Sequence, residues 1–293
     1  MRAALVLFAI CLVPLFLAPQ PPAHSLSPQG SQTDAASPRT YLGFDANDYP
    51  GDAALPMLRK TFSFAGYWLN VPPGAKTNPW VGKHDALLKN GFGFLVLFNG
   101  RTESQLQPPV VSAQLGSTDA ELAIHAAQQE GFPAHTIIFL DQEEGGRMLP
   151  VQIDYLYSWI QRVNSSGYGA GVYCSGMKAK EGKGQFIMTA DDIHQRTEAK
   201  SFFVYNDACP PSPGCAYLKN PPPPSASGVA YASVWQFAQS PRRHEFTKSC
   251  STTYNRDGNC YPPAANGVAG AIPGAILLDL DSATSPDPSN ARP

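Results

Sequence analysis

The chain reads as an α/β barrel, a sheet of parallel strands closed on itself with helices outside. Three observations predict this. Eight short apolar runs recur along the 293 residues, separated by helical patterns or long loops. The runs are almost continuously apolar, as strands buried on both faces are. About 270 residues remain once an amino-terminal leader is set aside, a length one such barrel occupies.

The leader is Met1 to about Ser25. Arg2 supplies a positive start, Ala3 to Ala18 is nearly unbroken apolar sequence, and Pro19 and small residues follow. Such a segment is a signal peptide, and it is short for a membrane span. The expectation is a secreted or periplasmic protein with no stable membrane insertion after cleavage; an uncleaved anchor is the minor alternative. Residues 26–39 are rich in Ser, Gln, Pro and Gly and read as a flexible lead-in. The barrel is expected over 40–285, and 286–293 as a disordered tail.

The strands follow in order. Tyr41 to Asp45 is the first and Phe64 to Leu69 the second. Gly82 to Asn90 reads as a short helix, and Gly93 to Phe98 as the third strand. Ser117 to Gly131 is the clearest helix, with Ser117 or Thr118 as its cap and Gly131 as its stop. Thr136 to Leu140 is the fourth strand. Pro150 to Ser166 is a helix with Ile153, Leu156, Tyr157, Ile160 and Val163 on one face. Ala170 to Cys174 is the fifth strand, Thr189 to Ala199 a short helix, and Phe202 to Tyr205 the sixth strand. Ala232 to Phe237 and Ala275 to Asp279 complete the set. Between them, Ser240 to Gly274 holds no convincing amphipathic helix, so the seventh helix is expected to be degraded or replaced by a loop.

Composition excludes several functions. The net charge is −2, no basic cluster points to nucleic acid, and no cationic amphipathic helix points to a lipid surface. Six histidines are scattered without ligand spacing, so no metal is expected. The glycines of Gly167 to Gly171 precede a strand where a dinucleotide loop would follow one, so no cofactor is expected. Cys209 and Cys215 share one loop, and Cys250 and Cys260 another; local disulfides are expected in an oxidising compartment. Cys174, in an apolar strand, reads as a buried thiol.

The chemistry concentrates at Thr136 to Gly146, where a buried strand stops in Asp141-Gln142-Glu143-Glu144 and two glycines. Strand alternation places Asp141 and Glu143 on one side, about 6.5 Å apart at their roots. Two acids so placed repel, and one is expected to hold its proton near neutrality. The bland alternative is that one caps the next helix while the other is solvated. Reactive groups of such barrels gather where strands end. Reading those ends adds Asp45, Tyr67, Asn99, Tyr173, Asn206 or Asp207, Gln236 and Asp279. Trp68, Tyr205 and Trp235 supply further flat apolar surface. Acids framed by aromatic rings suit a sugar, whose C–H faces stack while its hydroxyls bond.

Gly43-Phe44-Asp45, Asp141-Gln142-Glu143, Gly171-Val172-Tyr173, Trp235-Gln236-Phe237 and Leu278-Asp279-Leu280-Asp281 occur in the order seen in a known group. The chain resembles glycoside hydrolase family 25, the lysozymes that cut peptidoglycan, and still more the related secreted bacterial glycoside-hydrolase-like domains. The resemblance spans about Tyr41 to Ser282. It implies an irregular (β/α)8 TIM-type barrel with degraded last helices, a polysaccharide partner containing N-acetylated sugars, and no cofactor. It implies Glu143 as general acid and Asp141 as the residue that orients or polarises the N-acetyl group, or assists a nucleophilic step. Asp45 and Asp279 would stabilise positive charge at the sugar carbon. Tyr67, Trp68, Tyr173, Tyr205, Trp235 and Gln236 would line the substrate. Asp281 stands where the lysozymes often have Asn. The alternative is a carbohydrate-binding barrel without turnover.

Overall fold

The computed structural model of the chain describes residues 39–107, 111–209, 221–238, 260–261 and 276–293. The first five strands are β1 (Tyr41–Asp45), β2 (Phe64–Trp68), β3 (Gly93–Asn99), β4 (Ile137–Asp141) and β5 (Gly169–Ser175). A hairpin of β6 (Lys178–Gly182) and β7 (Gln185–Met188) follows, then β8 (Ser201–Cys209) and β9 (Val234–Ala238). Two short strands, β10 (Cys260–Tyr261) and β11 (Ile276–Leu277), pair only with each other before β12 (Asp279–Ala283). Eight strands close the barrel in the order β1-β12-β9-β8-β5-β4-β3-β2.

Seven barrel strands are parallel, as expected. The eighth differs twice. It begins at Asp279, where the apolar run was expected to end, and it lies antiparallel to both β1 and β9. The apolar run Ile276–Leu277 that marked it in the sequence is spent on β10. Reversal moves the amino-terminal end of β12 to the rim where the parallel strands finish. Asp279 therefore sits opposite Asp45.

Helices α1 (Leu55–Leu58), α2 (His84–Lys89), α3 (Ser112–Gln129), α4 (Pro150–Asn164) and α5 (Thr189–Arg196) fill the early connections. α4 begins as its sequence requires: Pro150 occupies its first turn, and the Gln152 side chain accepts from the Leu149 N–H at 2.8 Å. α3 begins five residues before the expected cap. Ser117 and Thr118 lie inside it, and the Thr118 hydroxyl donates to the Gln114 carbonyl one turn back. Gly116, which looks like a breaker, is a packing residue. A Cβ there would lie 2.2 Å from the Tyr155 carbonyl oxygen of α4, so the two helices can approach only at a glycine.

Glycines also shape the interior. A Cβ on Gly43 would fall within the Phe64 ring, and one on Gly171 within the Phe139 ring. Both rings are fully buried and use that space.

Residues 286–293, expected to be a disordered tail, are tied to the barrel end opposite the acidic rim. The Phe94 N–H donates to Asp287 Oδ1 at 2.8 Å, the Val96 N–H to the Ser289 hydroxyl at 2.7 Å, and the Ile137 N–H to the Ser289 carbonyl. Ser289 and Ala291 are fully buried. Unpaired donors at the starts of β3 and β4 recruit this segment.

Cys215 and Cys250, each one partner of an expected disulfide, lie outside the described residues, as does nearly all of the segment where the seventh helix was expected to be degraded. Cys174 is a buried free thiol, and burial pushes its pKa up. No helix among the described residues is long and apolar enough to cross a membrane.

Candidate active site

The site is built by register. Partners directly opposite across a β ladder point to the same face. Tyr67 packs outside the sheet on Trp80 and Phe132, so Gly66 before it faces inward; a Cβ on Gly66 would lie 2.5 Å from the Asp45 Cβ, so Asp45 shares that inward face. Asp279 opposes Asp45, Asp281 opposes Gly43, and Gln236 of β9 opposes Asp281. Next to Gln236 runs Tyr205 of β8, and next to that Ser175 of β5. Across the barrel, Asp141 of β4 lies beside Tyr173 of β5. One inner rim collects all of them.

Gln236 joins the rim together. Its Nε2 donates to Asp45 Oδ2 at 2.8 Å and to Asp279 Oδ2 at 3.3 Å, while its Oε1 accepts from the Tyr173 hydroxyl at 2.7 Å. Gln236, Asp45, Asp141 and Tyr173 are buried, and Asp279 is half-buried. Burial first, then Asp141, Asp45 and Asp279, push the pKa of Tyr173 well above that of an ordinary phenol. Three aspartates from strands one, four and twelve therefore act on one hydroxyl. Tyr173 is the centre of the site.

Asp281 lies one step deeper, fully buried, and was not singled out for the site from sequence. Neither of its oxygens receives a hydrogen bond. Burial first, then the charges of Asp45 and Asp279, push its pKa well above that of an ordinary carboxyl; a hydrogen bond with Asp45 acts in the same direction. Two carboxylates cannot share such a bond unless one keeps its proton.

Glu143 stands just past the end of β4. Strand alternation places it on the side of Asp141, but the strand ends at Asp141, the chain turns toward the glycine pair, and Glu143 is exposed. Its carbonyl accepts from the Tyr205 hydroxyl at 3.0 Å, which holds this loop over β8. Gly145 lies against Ser175 and Tyr205; a Cβ there would come within 3.7 Å of both side chains. Tyr205 is partly buried and tilts against Tyr173, ring centres 5.3 Å apart. Its pKa is raised, chiefly by burial.

Two expected substrate contacts lie elsewhere. Tyr67 follows the inward Gly66 and so faces the helices, where it is fully buried, packs edge-on to Phe94, Phe132 and Trp80, and donates to Glu130. Trp235 precedes the inward Gln236 and likewise faces out; its indole N–H donates to the Asn206 carbonyl at 3.0 Å. Trp68 returns to the inner side by alternation but is buried, with its N–H on the Ala46 carbonyl. Asn99 spends its amide on the Val71 carbonyl, and Asn206 spends its amide on that of Ser227.

Residues 69–206 match the family model described as the Rv2525c-like, glycoside hydrolase-like domain. Among solved structures, the chain is similar to the Tat-secreted protein Rv2525c of Mycobacterium tuberculosis, with 15% identity, 85% of this chain and 97% of that one covered, and a TM-score of 0.49. It is similar to an uncharacterized protein of B. stearothermophilus at 17% identity, with 82% and 94% covered and a TM-score of 0.48. A family 25 glycosyl hydrolase from Bacillus anthracis aligns at 10% identity over 84% and 89%, with a TM-score of 0.44. No curated protein matches in sequence.

Proposed function

We propose that the protein is an exported glycoside hydrolase acting on an N-acetylated cell-wall polysaccharide, such as peptidoglycan, by carboxylate acid/base chemistry. The observation that carries this is the convergence of Asp45, Asp141 and Asp279 around Tyr173, with Glu143 exposed at the same rim. Cleavage of a glycosidic bond passes through a sugar carrying positive charge, and one acid must protonate the departing oxygen. Glu143 is the acid that a bound chain can reach from solvent. Asp45 and Asp279, oriented by Gln236, face the developing charge. Asp141, beside Tyr173, is placed to orient the N-acetyl group. The match of residues 69–206 to a glycoside-hydrolase-like domain supports the same reading.

The test is release of reducing ends from peptidoglycan, chitin and soluble N-acetylglucosamine oligomers by the purified protein. Wild type should hydrolyse at least one of them, and Glu143→Gln should be slower by about 10²–10⁴, the usual range for loss of a general acid. Equal rates for the two proteins overturn the assignment. The exposure of Glu143 favours one second reading, a barrel that binds glycan without turning it over, since a proton donor at neutral pH is normally sheltered. Saturable binding without hydrolysis at long times selects it.

A further inference from the structure

We propose that Asp281 is a positioning residue: it donates its carboxyl proton to Asp45 from one layer deeper in the barrel and so fixes the anion that Asp45 presents at the rim. The inference rests on the hydrolase reading above and deepens it.

The geometry leaves Asp281 few choices. On β1 its partner in register is Gly43, which has no side chain to offer. On β9 its partner is Gln236, whose amide donates upward to Asp45 and Asp279 and whose oxygen is taken by Tyr173. The charged groups facing it are Asp45 from β1 and Asp279 from its own strand, both acids. A fully buried carboxylate there would be repelled by both and hydrogen-bonded by neither. With a proton, the same group becomes a donor aimed at the acid above it. Asp45 then receives one hydrogen bond from Gln236 and one from Asp281, which together hold its carboxylate plane.

This arrangement separates the acids by role. The buried pair shares one proton, as closely spaced carboxylates do. The proton is consumed in no step. It returns no charge to the substrate and needs no acceptor beyond Asp45.

The first test needs no substrate. An infrared spectrum of the resting protein at neutral pH should show the carbonyl stretch of a protonated carboxyl, and Asp281→Asn should remove it. Its absence from wild type overturns the proposal, whatever the protein hydrolyses. The second test uses the glycan that wild type cleaves. Asn keeps a donor toward Asp45, so Asp281→Asn should retain kcat within about threefold with an unmoved acid limb of the kcat/KM profile. Asp281→Ala removes the donor and should lower kcat at least tenfold, moving that limb to higher pH. Equal profiles for the Asn and Ala variants would show that Asp281 only fills space. Should the infrared band be present while no glycan is cleaved by wild type, the hydrolase reading fails and the proton's location stands.

Discussion

On the helical flank, Asp119 of α3 receives three hydrogen bonds: two from the Arg101 guanidinium, at 2.6 and 2.8 Å, and one from the Tyr155 hydroxyl at 2.8 Å. At the rim, the more deeply buried Asp281 receives none and faces two further acids. Both aspartates are cut off from water. On the flank the fold supplies the opposite charge and a phenol; Asp119 in turn raises the pKa of Arg101, and burial together with Asp119 raises that of Tyr155. At the rim the fold supplies more negative charge. An arrangement that only had to be stable would not repeat Asp45, Asp279 and Asp281 on two adjacent strands. Compensated acids mark the scaffold; crowded acids mark a site that works on something.

The comparison can be broken by substitution, beginning where most is at stake. Asp119→Ala leaves Arg101 and Tyr155 without their shared partner and should cost about 3–5 kcal/mol in urea unfolding. Turnover per folded molecule should be unchanged, since Asp119 lies outside the rim. A cost below about 1 kcal/mol would mean that the flank is not compensated in the sense argued here.

Asp281→Asn tests the other side. The pKa of Asp281 is raised in the fold, so the native state holds a proton that the unfolded chain releases near pH 4. Wild-type stability therefore falls as pH rises from about 4 toward the folded value, and the variant lacks that loss. At pH 7 the variant should be the more stable protein, because it forgoes that pH-dependent loss. The two proteins should converge in acid. A wild type whose stability climbs through the same pH interval relative to the variant contradicts the assignment.

Gly116→Ala presses α3 against the Tyr155 carbonyl beside Asp119 and should cost about 1–3 kcal/mol in the same unfolding assay. Tyr155→Phe removes one of the three bonds to Asp119 while Arg101 keeps the other two. The loss should be about 1 kcal/mol. If it equalled the loss in Asp119→Ala, Tyr155 and not Arg101 would carry the compensation.

Much of the rim was legible in the sequence because apolar strands that stop in acids are rare outside sites. Asp45 and Asp141 were placed by that signal alone. Asp279 was also placed at the rim, through a different geometry: the apolar run before it was taken as the strand, whereas the strand follows it in the reverse direction. Side-chain alternation carries no direction, so a reversed strand has the same pattern. Tyr67 and Trp235 failed on parity. Their strands are apolar on both faces, and without a polar face the period of two cannot say which residues look inward. The placement of Glu143 on one side with Asp141 does not follow, because strand alternation holds only as far as Asp141, where the strand ends. Asp281 needed the register with Gly43 and Gln236, which is a long-range fact. Gly116 was hidden for the same reason, its cause being a carbonyl on another helix.

The central claim is that acids distant in sequence meet around one sugar ring. A crystal structure of Glu143→Gln soaked with an N-acetylglucosamine tetramer tests it most directly. The account predicts a ring seated at the rim, with oxygens or C–H groups touching Asp45, Asp279 and Tyr173 and the N-acetyl group against Asp141. A tetramer bound on another face, with the rim filled only by solvent, would contradict it.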